Sequence, residues 1–112
     1  MHKTFVNLAN ARRPEGRYEG VIRAIVDDGV CPFCPENLGR YHKKPVIRSG
    51  RFWLLTDNMY PYQGAKHQLL LIHKKHIESI ARIKPAAWKE LHALAAYAVK
   101  KRRIRGGALV MR

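Results

Sequence analysis

Cys31 and Cys34 stand three positions apart in the run Val30-Cys31-Pro32-Phe33-Cys34-Pro35, and the chain has no other cysteine. Two thiolates at that spacing can grip one zinc ion tetrahedrally when two further ligands arrive from elsewhere. The same pair can serve as a redox dithiol, or be two inert thiols. Pro32 and Pro35 stiffen the turn under all three readings. Imidazoles are the usual companions of thiolates around zinc. Six histidines are present, at positions 2, 42, 67, 73, 76 and 92.

A second segment orders its chemistry-bearing residues in a recognisable way. It runs from Asn58 through Tyr60-Pro61 to His67, along the apolar stretch Gln68-Leu69-Leu70-Leu71-Ile72, and ends His73-Lys74-Lys75-His76-Ile77. This resembles the pattern of the histidine-triad (HIT) superfamily: an Asn or Asp, a Pro-bearing loop, a His, an apolar strand, a basic pair and a final His. A Cys-x-x-Cys upstream is common in its zinc-bearing branch. The chain has His73 where members usually carry Pro, and one extra residue in the loop from Tyr60 to Lys66; both departures bear on loop geometry. The resemblance runs from about Cys31 to the end and leaves the first 30 residues outside.

That resemblance implies a fold, a metal and a chemistry. The fold is an α+β, HIT-like antiparallel sheet with a long helix. In zinc-bearing relatives the metal is held by the two Cys, by the His after the basic pair and by a His near the catalytic motif; carried over, the ligands here are Cys31, Cys34 and His76. His42, in a basic loop, is a candidate substitute for the fourth ligand. Asn58 matches the residue that bonds ribose hydroxyls, which a side-chain amide can do neutrally; a turn-forming role is its alternative. Phe52 and Leu55 are candidates to line the base pocket, and His67 to support the site. The function implied is hydrolysis or transfer of nucleotidyl groups from a nucleoside phosphoramidate, dinucleoside polyphosphate or nucleotide sugar, in a homodimer when full length. That chemistry needs a His-x-His-x-His motif, whose middle His attacks the α-phosphate. The 112 residues contain no such motif. The expectation is therefore a chain that is C-terminally incomplete and inactive alone. Residues 1–29 are expected to form an arm and helix, and residues 30–112 the HIT-like domain.

Two other functions stay open. Cys-Pro-Phe-Cys also resembles the active-site motif of glutaredoxins, where a buried strand leads into the first Cys at a helix N-terminus and lowers its pKa. Here the preceding residues, Tyr18, Val21, Ile22, Ile25 and Val26, have helical spacing, and Gly29 ends that helix. The second alternative is a basic zinc-knuckle protein that binds nucleic acid. Its supports are Lys43, Lys44, Arg48 and Arg51 around one hairpin and a run from Lys100 to Arg105, with Trp53, Tyr60 and Tyr62 able to stack on bases. Core packing is the ordinary use of such aromatics, and solvated faces of such charges.

These residues must be positioned by elements that the pattern also predicts. Asn37 to Lys44 reads as a polar loop. Val46-Ile47-Arg48 and Phe52-Trp53-Leu54-Leu55 flank Ser49-Gly50 as a hairpin with a tight turn. Gln68 to Ile72 is a short buried strand, and residues 76–83 hold one or two helical turns. Pro85 opens the longest helix, with Trp88, Leu91, Leu94, Ala95, Ala98 and Val99 on its apolar face. Lys89 and Glu90 fall on the polar face, and Gly106-Gly107 breaks the helix. Ala108 to Met111 begins a strand, while residues 1–14 are an irregular lead-in.

Composition sets the outer bounds. At 112 residues the chain suits one small domain, of modest stability that a metal or partner would raise. Hydrophobic residues make up 46% and charged residues 27%, which excludes a disordered tail. Lys and Arg number 22 against 8 Asp and Glu, a net charge of +14 that attracts polyanions such as nucleotides or RNA. One Cys-x-x-Cys is no disulfide framework. With no apolar leader and no long apolar window, the expected protein is soluble, cytoplasmic and independent of membranes.

Overall fold

The computed structural model describes residues 17–112, with side chains described from residue 20; the expected lead-in, residues 1–14, lies outside them. Helix α1 (Arg17–Asp28) is followed by α2 (Pro35–Tyr41), then strands β1 (Val46–Ser49), β2 (Trp53–Asp57) and β3 (Leu69–His73), a 3-10 turn (Ile80–Arg82) and α3 (Pro85–Lys101). The strands form one antiparallel sheet in the order β1-β2-β3. The fold is thus mixed α and β, as the pattern predicts. Among the described residues no helix is long and apolar enough to cross a membrane.

Helix α3 covers one face of the sheet. Its buried residues, Ala87, Leu91, Leu94 and Ala98, recur at helical spacing and form one stripe. Trp53 and Ile83 complete that core, with Phe52, Leu71, Ile77 and Trp88 packed against it. The indole N–H of Trp53 donates to the Ala87 carbonyl at 2.7 Å, so the buried ring keeps its polar partner. Trp53 is therefore a core residue. Asp57, four residues further along the same face of β2, takes a bidentate pair from Arg102 at 3.0 and 3.1 Å. A second, smaller cluster joins Ile22 and Ile25 of α1 to Tyr41 of α2.

Thr56 points to the opposite face and is wholly buried. Its hydroxyl donates to the Pro45 carbonyl at 2.9 Å, while His42 Nε2 lies 2.8 Å from the same oxygen. Since the Thr56 proton goes to Pro45, the imidazole must supply the other one.

Four expectations are corrected. Residues 37–41 are helical, because α2 starts from Pro35 at its first position with Glu36 beside it. The hairpin turn spans Gly50 to Phe52, with the Gly50 N–H bonded to the Trp53 carbonyl at 2.9 Å. Helix α3 ends at Lys101 rather than at the glycines: Arg103 takes φ +52 and the Ile104 N–H reaches back to the Val99 carbonyl at 2.9 Å, a Schellman closure. Ala108 to Met111 forms no strand, since no described strand pairs with it.

Candidate metal centre

The Cys-x-x-Cys turn is bracketed by two helices. The Gly29 N–H closes α1 onto the Ile25 carbonyl at 3.1 Å, and Gly29 takes φ +67, which suits a residue without Cβ. Cys34 is the N-cap of α2, its carbonyl accepting from Asn37 and Leu38 at 2.9 Å each. The Asn37 side chain donates to the Cys31 carbonyl at 3.0 Å and so ties the two cysteines' backbones together. Asp28 joins the helices by accepting from Arg40 at 3.2 Å and from the Tyr41 hydroxyl.

His76 comes from the other side of the molecule's sequence. The ladder runs on past β3, where the Lys74 N–H donates to the Phe52 carbonyl at 2.8 Å. Ile77 is anchored in the α3 core. Between those two fixed points His76 places Nδ1 3.2 Å from the Cys34 sulfur, across 42 residues of sequence.

One donor atom from each of Cys31, Cys34 and His76 falls within 4.8 Å of the other two. A tetrahedral zinc ion with sulfur at ~2.3 Å and nitrogen at ~2.0 Å spaces its donors roughly 3.5–3.8 Å apart. The three atoms are close enough to bind one ion, and thiolate with imidazole is zinc's preferred donor chemistry. Both cysteines are free thiols. Burial, a hydrogen bond with Cys31 and the negative charge of Cys31 and Glu36 push the Cys34 thiol up to about 11. Such a thiol keeps its proton until a cation replaces it.

The remaining expected residues divide between places. His42 is engaged with Thr56 and is not in the metal group. Burial first, then Lys44, lower its pKa against the opposing pull of Asp57. Asn58 and His67 come together at one end of the sheet: the Asn58 N–H donates to the Gln68 carbonyl at 2.9 Å, and exposed His67 contributes positive potential at neighbouring Asp57. The Asn58 side-chain oxygen accepts from the Tyr60 N–H at 2.9 Å, an Asx turn. Phe52 stands at the far end of β2, about 20 Å away for six extended residues. Leu55 is 1% exposed, sealed in the core rather than set on an open surface. Asn58 and Phe52 thus flank opposite ends of β2.

Two acidic residues were not singled out from the sequence. Glu90 accepts from the backbone N–H groups of Arg51, Phe52 and Trp53 at 2.5, 2.8 and 2.8 Å, fastening the hairpin turn to α3. Burial alone would raise its pKa, but the three N–H bonds and Lys74 hold it below the usual value. Glu78 lies 3.4 Å from His76 Nε2. A Glu two residues after a candidate ligand His was its only sequence signal.

Comparisons of the chain with protein-family models, with curated proteins and with solved structures gave no match.

Proposed function

We propose that this chain carries a zinc knuckle made by Cys31, Cys34 and His76, within a HIT-like domain that binds a nucleotide. The observation that carries the reading is the convergence of three soft donors, from two distant segments, within 4.8 Å. Those three residues are the ligands that the HIT resemblance implies. Zinc here would cross-link the α1–α2 region to the sheet, and metal binding of this kind contributes directly to folding. The nucleotide half of the proposal rests on the resemblance of the Asn58 to Ile77 segment. No His-x-His-x-His is present, so the activity proposed for this chain is binding, without nucleotidyl transfer. The parent chemistry, hydrolysis or transfer of nucleotidyl groups in a homodimer, belongs to the same reading.

Metal content by mass spectrometry tests the knuckle. About one zinc per chain, lost in Cys31→Ser, is the expected result; no metal in the unaltered chain refutes it. Titration calorimetry with AMP tests the pocket, with Asn58→Ala expected to weaken binding.

A second reading, a basic nucleic-acid binder, is favoured by one groove of about 570 Å³ between the hairpin and α3. Arg48 from the hairpin and Lys100 from the helix both line it, and the Arg48 guanidinium sits 4.4 Å from the Tyr97 ring centre. Binding there should weaken steeply with added salt, whereas mononucleotide binding should weaken little.

A further inference from the structure

We infer that Glu78 is the positioning residue of the metal centre, holding His76 so that Nδ1 faces the two sulfurs. The inference rests on the metal reading of Cys31, Cys34 and His76. Residues 76–79 form no helix or strand, and the backbone at Ser79 is extended, with φ −139 and ψ 133. His76 and Glu78 flank Ile77, and the ring is bracketed: Nδ1 is 3.2 Å from the Cys34 sulfur and Nε2 is 3.4 Å from the Glu78 carboxylate.

The chemistry of that bracket is specific. An imidazole can bind a metal through either nitrogen, and the choice is set by what the other nitrogen does. A carboxylate at Nε2 requires a proton there. It therefore leaves the Nδ1 lone pair for the metal and makes the ring a stronger donor. The segment itself is held in place on both flanks, by Ile77 in the core and by the Ser79 hydroxyl, which accepts from the Ala81 N–H at 3.2 Å. An exposed ion pair contributes little by itself. The weight of Glu78 lies in selecting the ring nitrogen and its orientation.

Zinc affinity, measured by chelator competition on the full chain, tests this together with nitrogen-15 spectra of the zinc-loaded imidazoles. The variants are Glu78→Ala, Glu78→Gln, Cys31→Ser and Glu36→Gln. Glu78→Ala is expected to weaken zinc 10- to 100-fold, the usual effect of losing such a partner, and to give His76 bound partly through Nε2. The amide of Glu78→Gln still accepts a hydrogen bond, so it should keep Nδ1 coordination and recover much of the affinity. Glu36→Gln removes a charge that acts on Cys34 but touches no imidazole, and should leave the bound nitrogen unchanged. An unaltered chain that binds zinc through Nε2, or a Glu78→Ala chain within twofold of it and still bound through Nδ1, overturns the role of Glu78 while the knuckle stands. An unaltered chain that binds no zinc overturns both.

Discussion

Glu90 offers the sharpest test of how the hairpin and the long helix are held together. Its carboxylate receives three backbone N–H groups from one turn, at 2.5–2.8 Å. Hydrogen bonds to a charged group contribute about 1.5–3 kcal/mol each, and an orphaned buried donor costs about 1–3 kcal/mol. Arg51 is exposed, so its N–H can turn to water; Phe52 and Trp53 are half-buried and buried. Counting only those two, at the low end, Glu90→Ala should destabilise the chain by about 3 kcal/mol. Glu90→Gln should fall between, since an amide keeps one acceptor oxygen and turns an N–H₂ toward the other donors. Gly50 supplies an internal check. A Cβ added there would stand 2.4 Å from the Glu90 carboxyl carbon and 2.6 Å from each oxygen. Glu90 can retreat only by giving up its N–H partners, so Gly50→Ala should cost about 1–3 kcal/mol. In the Glu90→Ala background the obstacle is gone, and the same change should cost under ~0.5 kcal/mol, a coupling that a double-mutant cycle reads directly. The assay is equilibrium urea unfolding followed by tryptophan fluorescence, with Trp53 adjacent to the turn. A Glu90→Ala chain within ~0.5 kcal/mol of the parent, or equal Gly50→Ala costs in both backgrounds, would refute the latch.

Further outcomes follow from other sites. Thr56→Val keeps the volume but leaves the Pro45 carbonyl and His42 Nε2 without their partner, and should cost about 1–3 kcal/mol by the same unfolding assay. Arg103→Gly relieves a left-handed backbone at φ +52 and should raise stability by about 0.5–1 kcal/mol; a loss instead would mean that the Schellman closure is not what ends α3. Stability of the metal-free chain, measured with chelator present, should fall in two stages as pH is lowered. His42 is held neutral, below its free value of 6.5, so the unfolded chain gains that proton first and stability declines as pH falls below about 6.5. Asp57 is held down by the Arg102 hydrogen bond against its own burial, and Glu90 by its N–H partners. Their contributions are complete above the free values of 3.8 and 4.5 and disappear as pH falls through the lower folded ones. A profile flat from pH 7 to 5 would contradict the neutral His42.

The described part of the fold was legible wherever a repeat of apolar residues was long enough to show its period. The spacing from Ile22 to Val26 placed α1, Gly29 its end, and Pro85 with Leu91, Leu94 and Ala98 placed α3. The apolar run Phe52 to Leu55 beside the Ser49-Gly50 turn placed the central strand. Short or locally ambiguous stretches were not legible. Helix α2 has seven residues and only Leu38 and Tyr41 as apolar marks, too few to set a period against a polar loop. At Ala108 to Met111 the composition of a strand was present, but a strand forms only where a neighbour supplies the ladder. The left-handed Arg103 closes α3 ahead of the glycines, beside Arg102 and its pair with Asp57, a residue 45 positions away.

Residue identity and local spacing alone determined the donor types of the candidate metal centre. Two thiols on a proline-stiffened turn, and an imidazole just past a buried strand, are soft ligands whatever the fold. Their closing to within 4.8 Å was decided by tertiary structure, because it depends on how the α1–α2 turn lies across the end of the sheet. The same holds for the acids. Glu90 read as surface charge on a helix and became the anchor of a hairpin turn. Glu78 carried no reading of its own within a stretch expected to hold helical turns, and came to face the outer nitrogen of His76. A side chain's charge is written in the sequence, but its partners are set by contacts between segments tens of residues apart, which local spacing does not encode.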